Sequence, residues 1–213
     1  MKRLVLTGIA TFALALGAFA QGSINLDNSA GTFNYGVAVD TAGNYYSGSY
    51  GMEVWELSGA TSVPSGINIA PAPGSGAAAY GQLAKDGFKN EATFFGKTTA
   101  APGTVIIGAV NMPDVTPAGS QVVLALAAWN TSATSWAAML NGAGATTRAG
   151  VIAFLNPTAV SPPGAPSAID GSTTLGTGWN SIGDLVMTSV PEPGTLALAG
   201  LGAAALLIFR RRK

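Results

Sequence analysis

The sequence predicts a mainly β protein, in which an antiparallel β-sandwich or jelly-roll-like domain is followed by a single C-terminal transmembrane helix. Short apolar runs recur between clusters of Gly, Pro, Ser and Asn, which is typical of strands joined by turns. Only 9% of the residues are charged, and 29 Gly and 12 Pro favour turns over helices. An uncharged apolar run near the C-terminus, followed by cations, predicts the transmembrane helix.

The N-terminus has the three parts of a secretory signal peptide. Met1–Arg3 is positively charged, and Leu4–Phe19 is apolar. Ala18 and Ala20 supply the small residues of a cleavage site, so Gln21 is expected to begin the mature chain. The alternative is an N-terminal membrane helix that is retained.

The N-terminal segment and the C-terminal apolar run divide the chain into three regions. We expect residues 1–20 to be a signal peptide, residues 21–189 an exported β-rich domain, and residues 190–213 a separate tail. A domain of this length can bury a hydrophobic core of its own. The chain contains no Cys, so burial rather than disulfide bonds must stabilise the domain.

The first half of the domain alternates strands with turns and loops. Ser23–Asp27 alternates apolar and polar residues and is predicted as the first strand. Asn34–Asp40 repeats the pattern, and Thr41–Asn44 is a predicted turn. Tyr50–Leu57 is predicted as a half-buried strand. Ser62–Ala77 is rich in Pro, Gly and Ser and is predicted as a long surface loop.

The second half of the domain is predicted to hold most of the core. Gln121–Trp129 is continuous and apolar, as expected of a central strand. Ser132–Leu140 is predicted as a short helix with Ser132 or Thr134 as its N-cap. The predicted strands of this half are Ala92–Phe95, Thr104–Val110, Gln121–Trp129, Arg148–Leu155 and Ile182–Thr188.

Charge and composition exclude several classes of function. The domain between the two terminal segments has four cations against nine acidic residues, a net charge of about −5. This charge argues against nucleic acid as a partner. With no His and no Cys, the usual serine triad and a thiol nucleophile are both excluded. We expect no cofactor, no metal site and no catalytic residue.

The C-terminal tail has three parts in order. Pro191, Glu192 and Pro193 form a rigid polar segment with Val190, because proline fixes φ and lacks an amide hydrogen. Residues 195–209 are predicted as the transmembrane helix, roughly 22 Å long. A basic stop follows, formed by Arg210, Arg211, Arg212 and Lys213. These cations should remain on the cytoplasmic side. A buried core helix is the alternative.

This order of segments resembles the PEP-CTERM sorting signal of exported proteins in exopolysaccharide-producing Gram-negative bacteria. The matching parts are Pro191, Glu192 and Pro193, the apolar run, and the final cations. The resemblance implies that an exosortase, a membrane enzyme analogous to sortase, acts near the motif. It also implies that the tail anchors the chain in the inner membrane transiently, before the protein reaches the cell surface or extracellular matrix.

Two classes of function remain open for the exported domain. The first is a non-catalytic surface or matrix protein that associates with exopolysaccharide. The alternative is a secreted glycoside hydrolase, or another polysaccharide-acting enzyme, that uses only carboxylates across a cleft. Glu53 and Glu56 share one predicted strand but point to opposite faces, and we expect both to be solvated.

Aromatic side chains are the candidates for contacts with sugar rings. Trp55 and Trp129 lie in predicted strands and are expected to fill the core. Tyr45, Tyr46 and Trp179 lie in segments rich in Gly, Asn and Ser. We therefore predict these three residues as the candidate ligand-binding residues of an exposed surface.

Overall fold

A computed structural model describes residues 22–29, 35–68, 72–115, 120–158, 167–169 and 177–191 of the chain. This part of the protein is mainly β, with antiparallel sheets and few helices, as the sequence predicts. Its strands are β1 (Gly22–Asp27), β2 (Val37–Ala38), β3 (Ser49–Leu57), β4 (Lys89–Thr98), β5 (Ile106–Met112), β6 (Gln121–Trp129), β7 (Arg148–Pro157), β8 (Ser167–Ala168), β9 (Leu185–Val186) and β10 (Thr188–Ser189). Its helices are α1 (Ser75–Lys85) and α2 (Trp136–Asn141).

The largest sheet has five strands in the order β10-β7-β6-β3-β4, with every neighbouring pair antiparallel. β6 is its central strand and has the bounds that the apolar run predicts. From Val122 to Trp129 this strand is buried on both faces. Gly51 lies opposite Trp129, and a Cβ on Gly51 would come within 2.2 Å of the Trp129 indole. Glycine near the start of β3 therefore makes room for this large side chain.

A three-stranded sheet in the order β5-β1-β8 faces the five-stranded sheet. β1 is antiparallel to β5 and parallel to β8, and β2 and β9 form a separate parallel pair. Ile24 and Leu26 of β1 lie in the same buried cluster as Leu124 and Leu126 of β6. The alternation expected for β1 is therefore confirmed, because its apolar positions form the inner face.

The opposite face of the five-stranded sheet packs against the two helices. Val123 and Ala125 of β6 contact a buried cluster that contains Leu83 of α1. Farther along β6, Ala127 and Trp129 lie in a third cluster. From Val122 to Trp129, β6 is apolar because the side chains on both of its faces are covered.

Helix α1 was not predicted, and its first three residues lie in the predicted loop Ser62–Ala77. Its buried face is narrow, consisting of Gly76, Ala79 and Leu83, so the helical periodicity is weak in the sequence. A Cβ on Gly76 would lie 2.6 Å from the backbone oxygen of Ala149. Glycine at position 76 thus allows α1 to approach β7 closely, so this residue is required by tertiary packing rather than by the helix itself.

Other element boundaries also differ from the predictions. Helix α2 begins at Trp136 rather than Ser132, and Ser135 rather than Ser132 or Thr134 is its N-cap. The Ser135 Oγ accepts a 3.1 Å hydrogen bond from the amide of Ala138. The strand predicted over Asn34–Asp40 is reduced to β2, and β4 extends the predicted strand Ala92–Phe95 in both directions.

Among the residues that the structure describes, no helix is both long enough and apolar enough to cross a membrane. The predicted transmembrane helix over residues 195–209 and the basic stop over 210–213 lie outside those residues. The predicted signal peptide and its cleavage residues Ala18, Ala20 and Gln21 lie outside them as well.

Candidate processing site

The chain leaves the domain through β10, at the edge of the five-stranded sheet. Thr188 pairs with Ala149, and Ser189 pairs with Arg148 of β7. The carbonyl of Ser189 also accepts a 3.0 Å hydrogen bond from the amide of Gly74, which directly precedes α1. The end of the domain is therefore fixed by two separate elements.

The predicted polar segment Val190–Pro193 begins inside the fold. The amide of Val190 donates a 2.9 Å hydrogen bond to the carbonyl of Thr147, and its side chain is only 7% exposed. Val190 packs in the cluster that contains Trp129 and Trp136. The assignment of Val190 to the polar segment is therefore wrong, because its side chain completes a core cluster.

Pro191 is the first exposed residue after this anchor. Its ring lies beside Gly74, where an added Cβ would be 3.5 Å from the Pro191 Cγ. Glu192 and Pro193 lie outside the described residues. The motif thus follows directly on the buried end of the domain, with no spacer between them.

A groove of about 220 Å³ lies beside this exit and is lined by residues that include Asp40, Pro73, Arg148 and Ser189. The Arg148 guanidinium donates a 3.1 Å hydrogen bond to the carbonyl of Val39. Hydrogen bonds from Asn44 hold the pKa of Asp40 below its usual value, with a smaller contribution from Arg148. Both charged groups of the groove are therefore held in place by hydrogen bonds.

Trp179 does not lie at a surface, and this part of the ligand-binding prediction is wrong. Its side chain is 0% exposed, and its Nε1 donates a 3.0 Å hydrogen bond to the carbonyl of Gly183. Its ring lies 5.4 Å from that of Tyr35 and 6.5 Å from that of Phe154. The Gly-rich sequence around Trp179 predicts an exposed loop. This segment instead folds over the core between the two sheets, and Trp179 is part of that core.

Tyr45 and Tyr46 are half-buried, and their hydroxyl groups are used within the fold. The Tyr46 hydroxyl donates a 2.6 Å hydrogen bond to the carbonyl of Ser49. The Tyr45 hydroxyl is hydrogen-bonded to Asp184, and burial is the main cause that raises the pKa of Tyr45. These two partly exposed residues remain the candidates for stacking on a ligand.

Glu53 is buried, which corrects the expectation that it is solvated. Its side chain is 3% exposed and lies on the helix-facing side of β3. Its Oε2 accepts hydrogen bonds of 3.1 Å from Trp55 Nε1 and 2.8 Å from the Tyr80 hydroxyl. Its Oε1 accepts a 3.1 Å hydrogen bond from the amide of Trp136. Three donors from β3, α1 and α2 thus converge on one carboxylate.

The aromatic rings around Glu53 form a continuous chain of ring contacts. Tyr80 and Trp136 are parallel, with centroids 4.3 Å apart. Trp55 meets Tyr80 edge-on at 5.5 Å, and Trp129 meets Trp136 edge-on at 6.2 Å. Burial, and then the neighbouring Glu53, raise the pKa of Tyr80 well above its usual value. The Glu53 carboxylate therefore connects both helices to the sheet rather than facing a cleft.

Glu56 is also buried, with 1% of its side chain exposed, which again corrects the solvated expectation. It lies on the opposite face of β3 from Glu53, as the sequence predicts. One carboxylate oxygen of Glu56 lies within 4.8 Å of oxygens from Glu91 and Asp114. The Lys89 ammonium forms a salt bridge with Asp114 at the edge of this cluster.

The pKa values of two cluster members reflect the crowding of negative charge. Burial is the main cause that raises the pKa of Glu56, and Asp114 raises it further. Burial also raises the pKa of Glu91, with additional contributions from Glu56 and Asp114. The hydrogen bond to Asp114 raises the pKa of Lys89 and so favours its charged form. Sequence reasoning missed this cluster because its members come from β3, β4 and the segment after β5.

Residues 189–213 match the family model of the PEP-CTERM protein-sorting motif. This match confirms the predicted nature of the tail, and its first residue, Ser189, is the last residue of β10. The motif marks the chain as an exported protein that is targeted to an exosortase. No significant match was found among curated proteins or among solved structures.

Proposed function

We propose that this chain is a non-catalytic protein of the cell surface or extracellular matrix, released by exosortase processing near Pro191–Pro193. Its exported domain comprises residues 21–189, and its two facing sheets form a β-sandwich covered on one side by helices. Residues 1–20 are removed as a signal peptide. The tail then holds the chain in the inner membrane until the exosortase acts.

The observation that carries this proposal is the direct junction between the fold and the motif. The main chain is hydrogen-bonded into the domain through Val190, and the first exposed residue is Pro191. An extended backbone that is not already paired can be gripped by a processing enzyme. This junction supports access by the enzyme at or beyond Pro191, outside the folded domain.

The tail sets the depth and orientation of the motif relative to the membrane. In this proposal residues 195–209 span the inner membrane, and the bilayer thins locally around a helix that is shorter than the hydrocarbon core. The four terminal cations stay on the cytoplasmic side, so the motif faces the opposite side, where the exported domain folds. Glu192 and its two prolines are recognised by the exosortase and carry out no chemistry themselves.

The positions of the buried acids support a non-catalytic role. Glycoside hydrolysis needs two carboxyl groups that face each other across a substrate cleft. Glu53 is saturated by three hydrogen bonds and faces the helices, whereas Glu56 lies on the opposite face of the same strand. These two acids cannot act together on one glycosidic bond.

Association with exopolysaccharide is the ligand-binding part of the proposal. Tyr45 and Tyr46 are consecutive, partly exposed aromatic residues on the segment that follows β2. Aromatic faces stack on the apolar faces of sugars. Trp179, being buried, has no part in this surface.

Intact-mass analysis of the protein from a host that contains the exosortase tests the processing step. The mature chain should begin at Gln21 and lack residues 195–213. Replacing Pro191, Glu192 and Pro193 together by alanine should leave a full-length chain in the inner membrane. Pro102→Ala, in an exposed turn, is the matched control and should be processed normally.

The result that would overturn this proposal is a mature wild-type protein that still ends at Lys213. Normal processing of the triple-alanine variant would likewise show that the motif is not recognised. Hydrolysis of host polysaccharide by the purified protein, lost on mutating its acids, would instead support the enzymatic alternative.

A further inference from the structure

Three carboxylates from distant parts of the sequence meet at one edge of the fold. Glu56 lies near the end of β3, Glu91 lies in the neighbouring edge strand β4, and Asp114 follows β5. One oxygen from each lies within 4.8 Å of the other two. Their burial is graded, since Glu56 is buried, Glu91 is half-buried and Asp114 is exposed. The cluster thus has one closed side and one side open to solvent.

The buried member of the cluster has an unused acceptor. Glu56 Oε1 accepts a 2.7 Å hydrogen bond from the Ser58 hydroxyl. Glu56 Oε2 is buried and has no hydrogen-bond partner among the residues that the structure describes. A buried carboxylate oxygen without a donor is costly, and it is normally compensated by a hydrogen bond or a bound cation.

We propose that Glu56, Glu91 and Asp114 bind a calcium ion. The free Oε2 of Glu56 supplies the inner ligand, and the two more exposed carboxylates close the site from the solvent side. Water fills the remaining positions of the coordination sphere, because calcium takes six to eight oxygen ligands.

The chemistry of the cluster favours a hard cation. Its ligands are all oxygen, and the chain contains no His or Cys that would favour a transition metal. Calcium accepts irregular sets of six to eight oxygen ligands, whereas magnesium requires near-ideal octahedral geometry and loses its water reluctantly. Three carboxylates from three separate segments, one of them buried, therefore suit calcium better than magnesium.

Lys89 partly compensates the cluster but does not neutralise it. Its ammonium pairs with Asp114, and 66% of its side chain is exposed. Three carboxylates and one ammonium leave two negative charges, which attract a divalent ion. Lys89 competes with calcium for the Asp114 carboxylate, and we expect its ammonium to leave Asp114 when calcium binds, because a long exposed side chain can rotate into solvent at little cost.

Thermal unfolding of the full chain in a mild non-ionic detergent tests the site. The protein is first treated with EDTA and dialysed, and calcium chloride is then titrated. Exported calcium sites typically have a Kd of about 0.1–1 mM. Calcium at about 10 mM should raise the Tm by roughly 3–6 °C, and magnesium should raise it less. Titration calorimetry should give one site per chain.

Variants at the cluster separate a calcium site from a surface salt bridge. Glu91→Gln and Asp114→Asn should each weaken calcium at least about tenfold, because each removes a charged ligand. Both residues are at least partly exposed, so these variants should fold. Glu56→Gln should abolish the response. Lys89→Gln should strengthen calcium binding by roughly fivefold, because it removes a competing cation.

Asp86→Asn is the matched control, since Asp86 follows α1 and is not part of the cluster. Its calcium titration should be that of the wild type. The proposal is overturned if wild-type protein shows no calcium-dependent shift, or if the Glu91→Gln and Asp114→Asn double variant keeps that shift. An equal response to magnesium would overturn the assignment to calcium.

Discussion

The Tyr80 hydroxyl donates a 2.8 Å hydrogen bond to Glu53 Oε2, and this contact joins helix α1 to the central region of the main sheet. The same carboxylate accepts from the first backbone amide of α2, where a negative charge favours the helix N-terminus. One buried acid therefore fixes the positions of both helices. The hydrogen bonds of Glu53 therefore assign it a structural role.

Glu53→Gln should destabilise the protein by about 2–4 kcal/mol, because glutamine has only one oxygen to accept from three donors. Tyr80→Phe should cost about 1–3 kcal/mol, because it removes a hydrogen bond to a buried charge. Tyr46→Phe is the control and should cost less, since the Tyr46 hydroxyl bonds a neutral carbonyl near the surface. Urea unfolding measures all three. Equal costs for the two tyrosine variants would contradict the special role of Glu53.

Trp179→Ala should destabilise the protein by roughly 3–5 kcal/mol, as large truncations in cores do. The expected cost is similar to that of Trp129→Ala, because both indoles are 0% exposed. Tyr46→Ala should cost less and should weaken retention on host exopolysaccharide while the fold is kept. Unfolding curves and a matrix co-sedimentation assay measure the two effects. Loss of retention in Trp179→Ala with unchanged stability would show that its burial is not maintained in solution.

Two glycines of α1 should respond to alanine with opposite signs. Gly76→Ala should destabilise by about 1–3 kcal/mol, because its Cβ would lie 2.6 Å from the Ala149 oxygen. Gly81→Ala should stabilise by about 0.5–1 kcal/mol, because no atom lies within 4 Å of its Cβ and alanine favours helix. Thermal unfolding compares the pair. Stabilisation by both substitutions would indicate that α1 does not pack closely on β7.

Asp184→Asn should change how stability depends on pH. Burial raises the folded-state pKa of Asp184 above its usual value of 3.8, although the Gly36 amide and Tyr45 hydroxyl oppose this. The folded protein therefore binds this proton more tightly than the unfolded chain does. That contribution is fully present below pH about 4 and is lost as pH rises through the raised pKa. The variant should thus gain stability relative to wild type as pH rises from about 4 through the raised pKa of Asp184.

Asp40→Asn is the control for this experiment, because its pKa shift has the opposite direction. A group whose pKa is lowered in the folded state stabilises the fold at pH values above its pKa in the unfolded chain. This contribution is lost as the pH falls through the lowered pKa. The control variant should therefore lose stability relative to wild type as pH rises. Urea unfolding at several pH values shows whether each variant gains or loses stability relative to wild type as pH rises. A constant difference between Asp184→Asn and wild type would refute the predicted coupling.

The patterns that depend on neighbouring residues along the chain could be predicted without a structure. β6 has the predicted bounds because a short apolar run between turn residues is typical of a strand that is covered on both faces. The PEP-CTERM tail was also predicted, since its proline-flanked acid, apolar run and final cations follow one another directly. The sequence thereby determined the mainly β class of the protein and its targeting to an exosortase.

Only the tertiary structure decided which polar and aromatic residues are buried. Glu53 and Glu56 alternate with apolar residues along β3, a pattern that predicts solvent exposure, but helices cover one face and the second sheet's edge covers the other. Trp179 is buried because a Gly-rich segment folds over the core. The acidic cluster joins Glu56 to Asp114 across more than fifty residues. Burial and clustering depend on contacts between distant segments, which local sequence patterns do not record.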